Sequence, residues 1–334
     1  MNEPNEICQR LERFLSSRIP QSATVKVDNY EVIAGGYSRH MARFTAHCDG
    51  STSNLIMRAD PLDANVTIES DRAREWVLLR ALTEKTDVPM PRALYYDEDG
   101  SDLGSKTIIL EEVQGRSFLA EIRGGESQLV SDPIDAFAEL AAHINRTDLS
   151  VLPEEIERPA SWDDYVDGRI EEWRKSEQQQ LDRNPLFRYI AGWLEDNRPE
   201  PAPFCLVHGE LQPSNIMVDE QGQLLAVDWE MARIGDPREE LGWCTWVESM
   251  QPPHTITKDS SRLRRLYAAK SGLDESLVTP EAIRYFTVIA GLQGLQGLYT
   301  QVRELAEGRN KSLLPAYLLS ALTTAHEQWW LATR

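Results

Sequence analysis

The apolar residues of this chain change their spacing once, and that change narrows the possible folds more than any other feature. Over about the first 110 residues they come in short alternating runs. VKVDNYEVI, HMARFTAH, NLIMRAD and KTIILEEVQG read as strands, and VPMPRALYYDEDG as a Pro-bounded turn and strand. Two helices interrupt them. One covers Glu6 to Ile19, with Ile7, Leu11, Phe14 and Leu15 on one face; the other is ESDRAREWVLLRALTEK, with Trp76, Leu79 and Leu82 spaced for burial. From near Ser117 helical spacing takes over, in DPIDAFAELAAHINRT, SWDDYVDGRIEEWRKSEQQQL and PLFRYIAGWLEDN. Three more helices are expected around EELGWCTWVE, AIRYFTVIAGLQGLQGLYTQVRELAEG and LLPAYLLSALTTAHEQWWLA. Strands gathered in front and helices behind fit neither a sandwich nor an alternating βαβ series. The expectation is an α+β chain with a β-rich lobe over residues 1–112 and a helical lobe over 113–334.

A length of 334 residues suits two lobes, and 41% apolar with 27% charged residues supports a packed core. Against 54 acidic residues stand 35 basic ones, a formal charge of -19. That balance argues against a nucleic-acid partner, which needs a basic face, and against an anionic membrane surface. It would draw in a cationic substrate; equally, it would simply keep the protein in solution. Cys8, Cys48, Cys205 and Cys244 stand far apart with no CxxC pair, so neither a zinc site nor a disulfide framework is expected. A reduced cytoplasmic setting follows. The opening MNEPNEICQRLERF lacks the basic-then-apolar pattern of a signal peptide, and no apolar run approaches a membrane span.

Chemistry concentrates in LVHGELQPSNIMVDEQGQLLAVDWEMARIGDP, Leu206 to Pro237, which reads as strand, loop, strand. Within H-G-E-x-x-x-x-N, Glu210 and Asn215 lie five residues apart, and Asp228 follows thirteen residues after Asn215. Phosphoryl-transfer enzymes of the protein-kinase type use this layout. A loop acid reaches the attacking hydroxyl, an Asn of the same loop reaches a magnesium ion, and an Asp on the next hairpin completes the clamp. Magnesium prefers hard oxygen ligands, which Asn215 and Asp228 supply.

The segment HGELQPSNIM…LLAVDWEMARIGDP resembles the aminoglycoside phosphotransferase family, nearest the branch of kinase-like domains fused to some acyl-CoA dehydrogenases. The resemblance spans roughly Val32 to Trp246. It implies a bilobal protein-kinase-like fold, ATP and Mg2+ as cofactors, and phosphoryl transfer to a small-molecule hydroxyl. It assigns Gly35 and Gly36 to the loop over the nucleotide phosphates, although a plain hairpin turn explains such a pair equally well. Arg58 falls where kinases keep a strand lysine and would meet the phosphates; an edge-strand surface Arg is the alternative. Glu75 would pair with Arg58, with Glu69 as rival. The backbone of Glu112 and Val113 would meet the adenine ring. Asn215 and Asp228 would hold the metal.

The branch has Asp where this chain has Glu210, and three readings follow. Glu210 acts as general base after a small backbone adjustment. Or the site tolerates a poor base, because phosphoryl transfer rests mainly on positioning and charge neutralisation. Or the chain binds nucleotide without turnover. His208 is expected to shape the loop by hydrogen bonding, Trp229 to pack, and Asp236 to cap the next helix or brace the loop. Glu230 is open between a second metal and a backbone amide.

For the acceptor, Trp162, Tyr165, Trp173, Trp243 and Trp246 offer aromatic faces that would serve equally as core. Glu171, Glu172 and Glu248 could hold amines, as a cationic aminocyclitol would need. The basic cluster SSRLRRLYAAK would suit the phosphates of a hydroxyacyl-CoA.

Overall fold

The structure, a computed structural model, describes residues 4–19, 24–33, 40–60, 71–124, 129–178, 185–309 and 322–334. Gly35, Gly36 and Glu69 lie outside these residues. The chain divides into two units, Met1–Lys85 with Met90–Gln114, and Thr86–Pro89 with Gly115–Arg334. The division expected at 112/113 thus falls just after Gln114, and residues 86–89 join the second unit.

The first unit holds α1 (Pro4–Arg18), β1 (Val25–Val32), β2 (His40–Cys48), β3 (Ser51–Ala59), α2 (Arg72–Lys85), β4 (Ala93–Asp97) and β5 (Thr107–Glu111). The strands form an antiparallel sheet in the order β1-β2-β3-β5-β4. Asp49 (φ 48°) and Gly50 (φ 84°) make the tight turn between β2 and β3, the positive-φ pair that matches strand twist. The predicted face of α1 is the buried one. Ile7, Leu11, Phe14 and Leu15 pack on Val25, Val27, Phe44, Leu55 and Met57. Each such side chain contributes roughly 1.5–3 kcal/mol by leaving water. Leu79 and Leu82 of α2 are buried, whereas Trp76 is half-buried and stacks on Tyr96.

The second unit begins with β6 (Gly115–Ser117), α3 (Phe118–Arg123), α4 (Pro133–Asn145), α5 (Trp162–Gln178) and α6 (Pro185–Asp196). Then come β7 (Cys205–Val207), β8 (Ile216–Asp219), β9 (Leu224–Ala226) and β10 (Arg233–Gly235). It closes with α7 (Glu239–Met250), α8 (Ser260–Ser271), α9 (Pro280–Ala306) and α10 (Leu322–Ala332). Helix α9 starts where Thr279 caps Ala282 N–H ahead of Pro280, and its 27 residues form the spine of the unit. Helix α7 lies against it closely enough that a Cβ on Gly242 would sit 2.6 Å from the Phe286 carbonyl carbon. Trp173, Phe187, Trp246, Tyr285 and Trp329 fill the core between these helices. No helix among the described residues is long and apolar enough to cross a membrane.

The strand–loop–strand expected over Leu206 to Pro237 resolves into four short strands. β7 pairs with β10, and β8 lies between β6 and β9. These two small sheets are what set the spacing of the motif residues.

Candidate active site

Strand β7 is buried throughout and delivers the chain to His208, which is fully buried. Gly209 turns it sharply at φ 83°; a Cβ there would lie 2.5 Å from Met231 O, so no other residue fits undistorted. Glu210 follows. A 3₁₀ turn, Pro213–Asn215, leads into β8. The return strand β9 ends at Ala226, and Asp228 stands two residues on in the left-handed region, φ 70°. A non-glycine residue held there stores local strain, a feature that clusters at functional sites.

Hydrogen bonds tie these turns together. Val227 N–H donates to Asn215 O at 2.9 Å. His208 Nε2–H donates to Val227 O at 3.0 Å, while its Nδ1 accepts from Glu210 N–H at 3.3 Å. Since Nε2 must donate and Nδ1 must accept, the ring is neutral and its tautomer is fixed. Trp229 packs on it with centroids 4.8 Å apart and anchors its own Nε1–H on Ala226 O. Asn215 Nδ2 donates to Glu210 O at 3.0 Å, which turns the amide oxygen away as the side chain's remaining acceptor. His208 therefore shapes the loop and Trp229 packs, and Glu210, Asn215 and Asp228 are brought to adjoining turns.

The Glu210 carboxyl is pushed up to about 8. Burial is the main cause, the Asp228 and Glu230 carboxylates add to it, and Arg233 with a hydrogen bond from Gln293 offsets part. Arg233 donates to Tyr165 Oη at 3.0 Å and to Met231 O at 2.9 Å, and pairs with Glu239. Burial would raise the Glu239 pKa, but Arg233, Arg169 and the Tyr165 hydroxyl hold it low. Gln293 reaches in from α9, donating to Gly209 O at 3.3 Å and accepting from Arg169 at 2.9 Å. Beneath the loop, Glu240 accepts the His208 N–H and is fully buried; burial pushes it to about 7.

Asp236 braces the loop rather than capping α7. It accepts from Trp162 Nε1 (2.8 Å) and from Arg238 N and Nε (3.0 and 2.8 Å), while Arg238 itself stands at the helix cap. Arg238 in turn ties down the Leu277 and Glu200 carbonyls.

In the first unit, Arg58 Nη1 lies 2.8 Å from Glu75 Oε1, and both side chains are buried. Arg72 also pairs with Glu75 and reaches Asp60 at 2.9 Å. Glu112 N–H donates to Asn54 O at 3.0 Å, and Val113 is half-buried.

The candidate amine-holding acids do not gather. Glu171 and Glu172 face solvent, while buried Glu248 accepts the N–H groups of Thr255, Ile256 and Thr257 at 2.8–3.2 Å. The basic cluster is consumed locally. Arg262 pairs with Asp132, Arg264 donates to Val278 O, and Lys270 pairs with Asp135 and Glu139. Of the five aromatics, Trp173, Trp243 and Trp246 are core, and Trp162 and Tyr165 serve Asp236 and Glu239. Sequence reading missed Arg233, Gln293 and Glu240. Arg233 falls inside the motif segment, Glu240 stands in the first turn of α7 just after it, and Gln293 comes from α9.

An antiparallel five-stranded unit, followed by a helical unit that sets H-G-E-x-x-x-x-N and D-W-E on adjoining turns, defines a kinase-like phosphotransferase. The chain belongs to the phosphotransferase enzyme family, whose model matches residues 29–271. It is similar to acyl-CoA dehydrogenase family member 11 of Mus musculus, 26% identical over 259 residues, covering 72% of this chain and 32% of that protein. The chain spans about a third or less of the length of the curated relatives of this kind that it matches. Its fold is shared with a Ralstonia eutropha protein provisionally named an aminoglycoside phosphotransferase, at TM-score 0.73, 20% identity and 97% coverage of each chain. It is also shared with aminoglycoside phosphotransferase APH(4)-Ia, in ternary complex with ADP and hygromycin B, at TM-score 0.65 and 18% identity, covering 97% of this chain and 98% of that one.

Proposed function

We propose that the chain transfers the γ-phosphate of ATP to a hydroxyl of a small molecule, with Glu210 as the general base. One observation carries this reading: a half-buried carboxyl, an Asn amide oxygen and a strained Asp are locked on adjoining turns by the bonds of neutral His208. The binding of ADP by a protein of the same fold supports the choice of nucleotide.

Asn215 and Asp228 fit magnesium. Asn215 spends its nitrogen on Glu210 O, leaving a neutral oxygen beside a carboxylate, and two hard oxygen donors are what this ion takes alongside phosphates and water. Among the described residues, no group of three or more His, Cys, Asp or Glu could hold a metal by itself. When bound, the ion would neutralise charge on the phosphate oxygens.

Glu210 accepts the proton of the acceptor hydroxyl as its oxygen attacks the γ-phosphorus. The bond to the β-phosphate oxygen breaks and ADP leaves. Burial and the neighbouring carboxylates raise the Glu210 carboxyl above its ordinary value, which makes its ionised form a stronger proton acceptor. Gln293 and Arg233 orient the carboxyl. In the first unit, Arg58, held by Glu75, is assigned to the phosphates, and the Glu112 carbonyl with the Val113 backbone to the adenine.

The test is turnover with labelled ATP over a panel of alcohols. Glu210→Gln should lower kcat by about 10²–10⁴-fold while Mg-ATP binding persists. Turnover equal to that of the unaltered protein would remove Glu210 as the base. Glu210→Asp should keep or raise kcat if the longer acid is merely tolerated.

A further inference from the structure

Glu75 holds more than Arg58. Asp71 caps α2 by accepting the Arg74 N–H at 3.0 Å, so Arg72 and Glu75 stand three residues apart in the first turn and share a face. Along β3, Arg58 and Asp60 are two residues apart and lie on the same side of the strand. Asp60 N–H donates to Lys106 O at 3.0 Å, which carries the strand pairing one residue beyond Ala59. Helix and strand thus each offer one base and one acid. Arg58 Nη1 donates to Glu75 Oε1 at 2.8 Å. Arg72 Nη1 takes Glu75 Oε2, while its Nε and Nη2 reach one Asp60 oxygen at 3.3 and 2.9 Å. Arg72 therefore links both acids. Its side chain is buried, as are those of Arg58 and Glu75, and all four residues belong to the first unit.

A buried ion-pair network is a weak source of stability, because desolvation cancels much of the attraction, and apolar contacts would tie α2 to β3 at less cost. What such a network supplies is geometry. With Arg72 on Oε2, Glu75 gives Arg58 one oxygen. Without Arg72, both carboxylate oxygens are open to Arg58, and the guanidinium would settle into the two-bond fork that it prefers. That fork swings the guanidinium toward α2 and uses donors that a phosphate would need. We infer that Arg72 is a positioning residue for the phosphate site: by holding Glu75 Oε2 it keeps Arg58 on a single bond, with its guanidinium presented to the nucleotide. This rests on the assignment of Arg58 to the phosphates.

The experiment measures binding of adenosine and of Mg-ATP to the full chain by isothermal titration. It compares the unaltered protein with Arg58→Gln, Arg72→Gln, Arg72→Lys and the double variant Arg58→Gln/Arg72→Gln. Adenosine carries no phosphate, so it reports damage to the fold of the site. Arg58→Gln should weaken Mg-ATP by about 10–100-fold, the worth of a charge-assisted hydrogen bond. Arg72→Gln should weaken Mg-ATP about tenfold with adenosine unmoved, and should cost nothing further in the Arg58→Gln background. Arg72→Lys keeps the charge but cannot fork across Asp60 and Glu75. It should lose Mg-ATP affinity several-fold in the same direction, and it carries the test if Arg72→Gln does not fold. The inference is overturned if the Arg72 variants bind Mg-ATP as the unaltered protein does, if they lose adenosine and Mg-ATP alike, or if the double variant shows both losses in full. In each of those cases, a loss confined to Mg-ATP in Arg58→Gln leaves the phosphate assignment standing. An Arg58→Gln protein that binds Mg-ATP normally removes that assignment, and the inference with it.

Discussion

Glu240 offers a test of how the loop that carries Glu210 is held, because its cost can be worked out. The carboxyl is fully buried, one oxygen accepts the His208 N–H, and the other meets no donor among the described residues. Burial raises its pKa from 4.5 to about 7, against partial relief from the His208 and Gly209 N–H groups and Arg233. An acid whose folded pKa lies above its unfolded one makes the unfolded chain ionise first as pH rises. Stability is therefore lost between about pH 4.5 and 7, with no penalty below that window and the full penalty above it. At about 1.4 kcal/mol per pH unit the full penalty is about 3 kcal/mol, of which about 2.5 kcal/mol develops between pH 5 and pH 8. Glu240→Gln keeps an oxygen for the His208 N–H and cannot ionise. Urea unfolding followed by Trp fluorescence should show the variant gaining on the unaltered protein by about 2.5 kcal/mol from pH 5 to pH 8. Parallel stability profiles over that range would mean that Glu240 ionises freely in the folded loop, and the reasoning would fail.

Gly209→Ala should destabilise by about 2 kcal/mol or more, since it forces a side chain into the left-handed region and toward Met231 O, and it should cut turnover by displacing Glu210; thermal unfolding and kcat report the two effects. Glu248→Ala strands the N–H groups of Thr255, Ile256 and Thr257, so a loss of about 3 kcal/mol in urea unfolding is expected, with KM for a cationic acceptor unaffected because Glu248 holds backbone and not substrate.

Much of the motif was readable because its spacing is local. H-G-E-x-x-x-x-N and D-W-E lie on short turns whose geometry is set by a few residues, so Glu210, Asn215 and Asp228 could be grouped before any coordinates. The buried face of α1 was readable too, since Ile7, Leu11, Phe14 and Leu15 recur at helical spacing. What escaped were contacts made across large sequence separations. Gln293 is one of three glutamines on α9 and nothing in its spacing sets it apart, yet it touches Arg169, Arg233 and the motif loop. Glu239 and Glu240 look like the acidic first turn of any solvated helix, and both are buried. Strands of three residues, such as β6 and β10, are too short to show alternation. Glu248 carries the same charge whether it binds an amine or clamps a loop, and only the fold separates the two.

The central claim is that Asn215 and Asp228 jointly hold a divalent cation that carries ATP. Isothermal titration of the unaltered protein and of Asp228→Ala with ATP, with and without magnesium, tests it most directly. The account predicts magnesium-dependent binding that weakens at least about tenfold, or about 1.4 kcal/mol, in the variant. Binding of ATP that ignores both magnesium and the loss of Asp228 would contradict it.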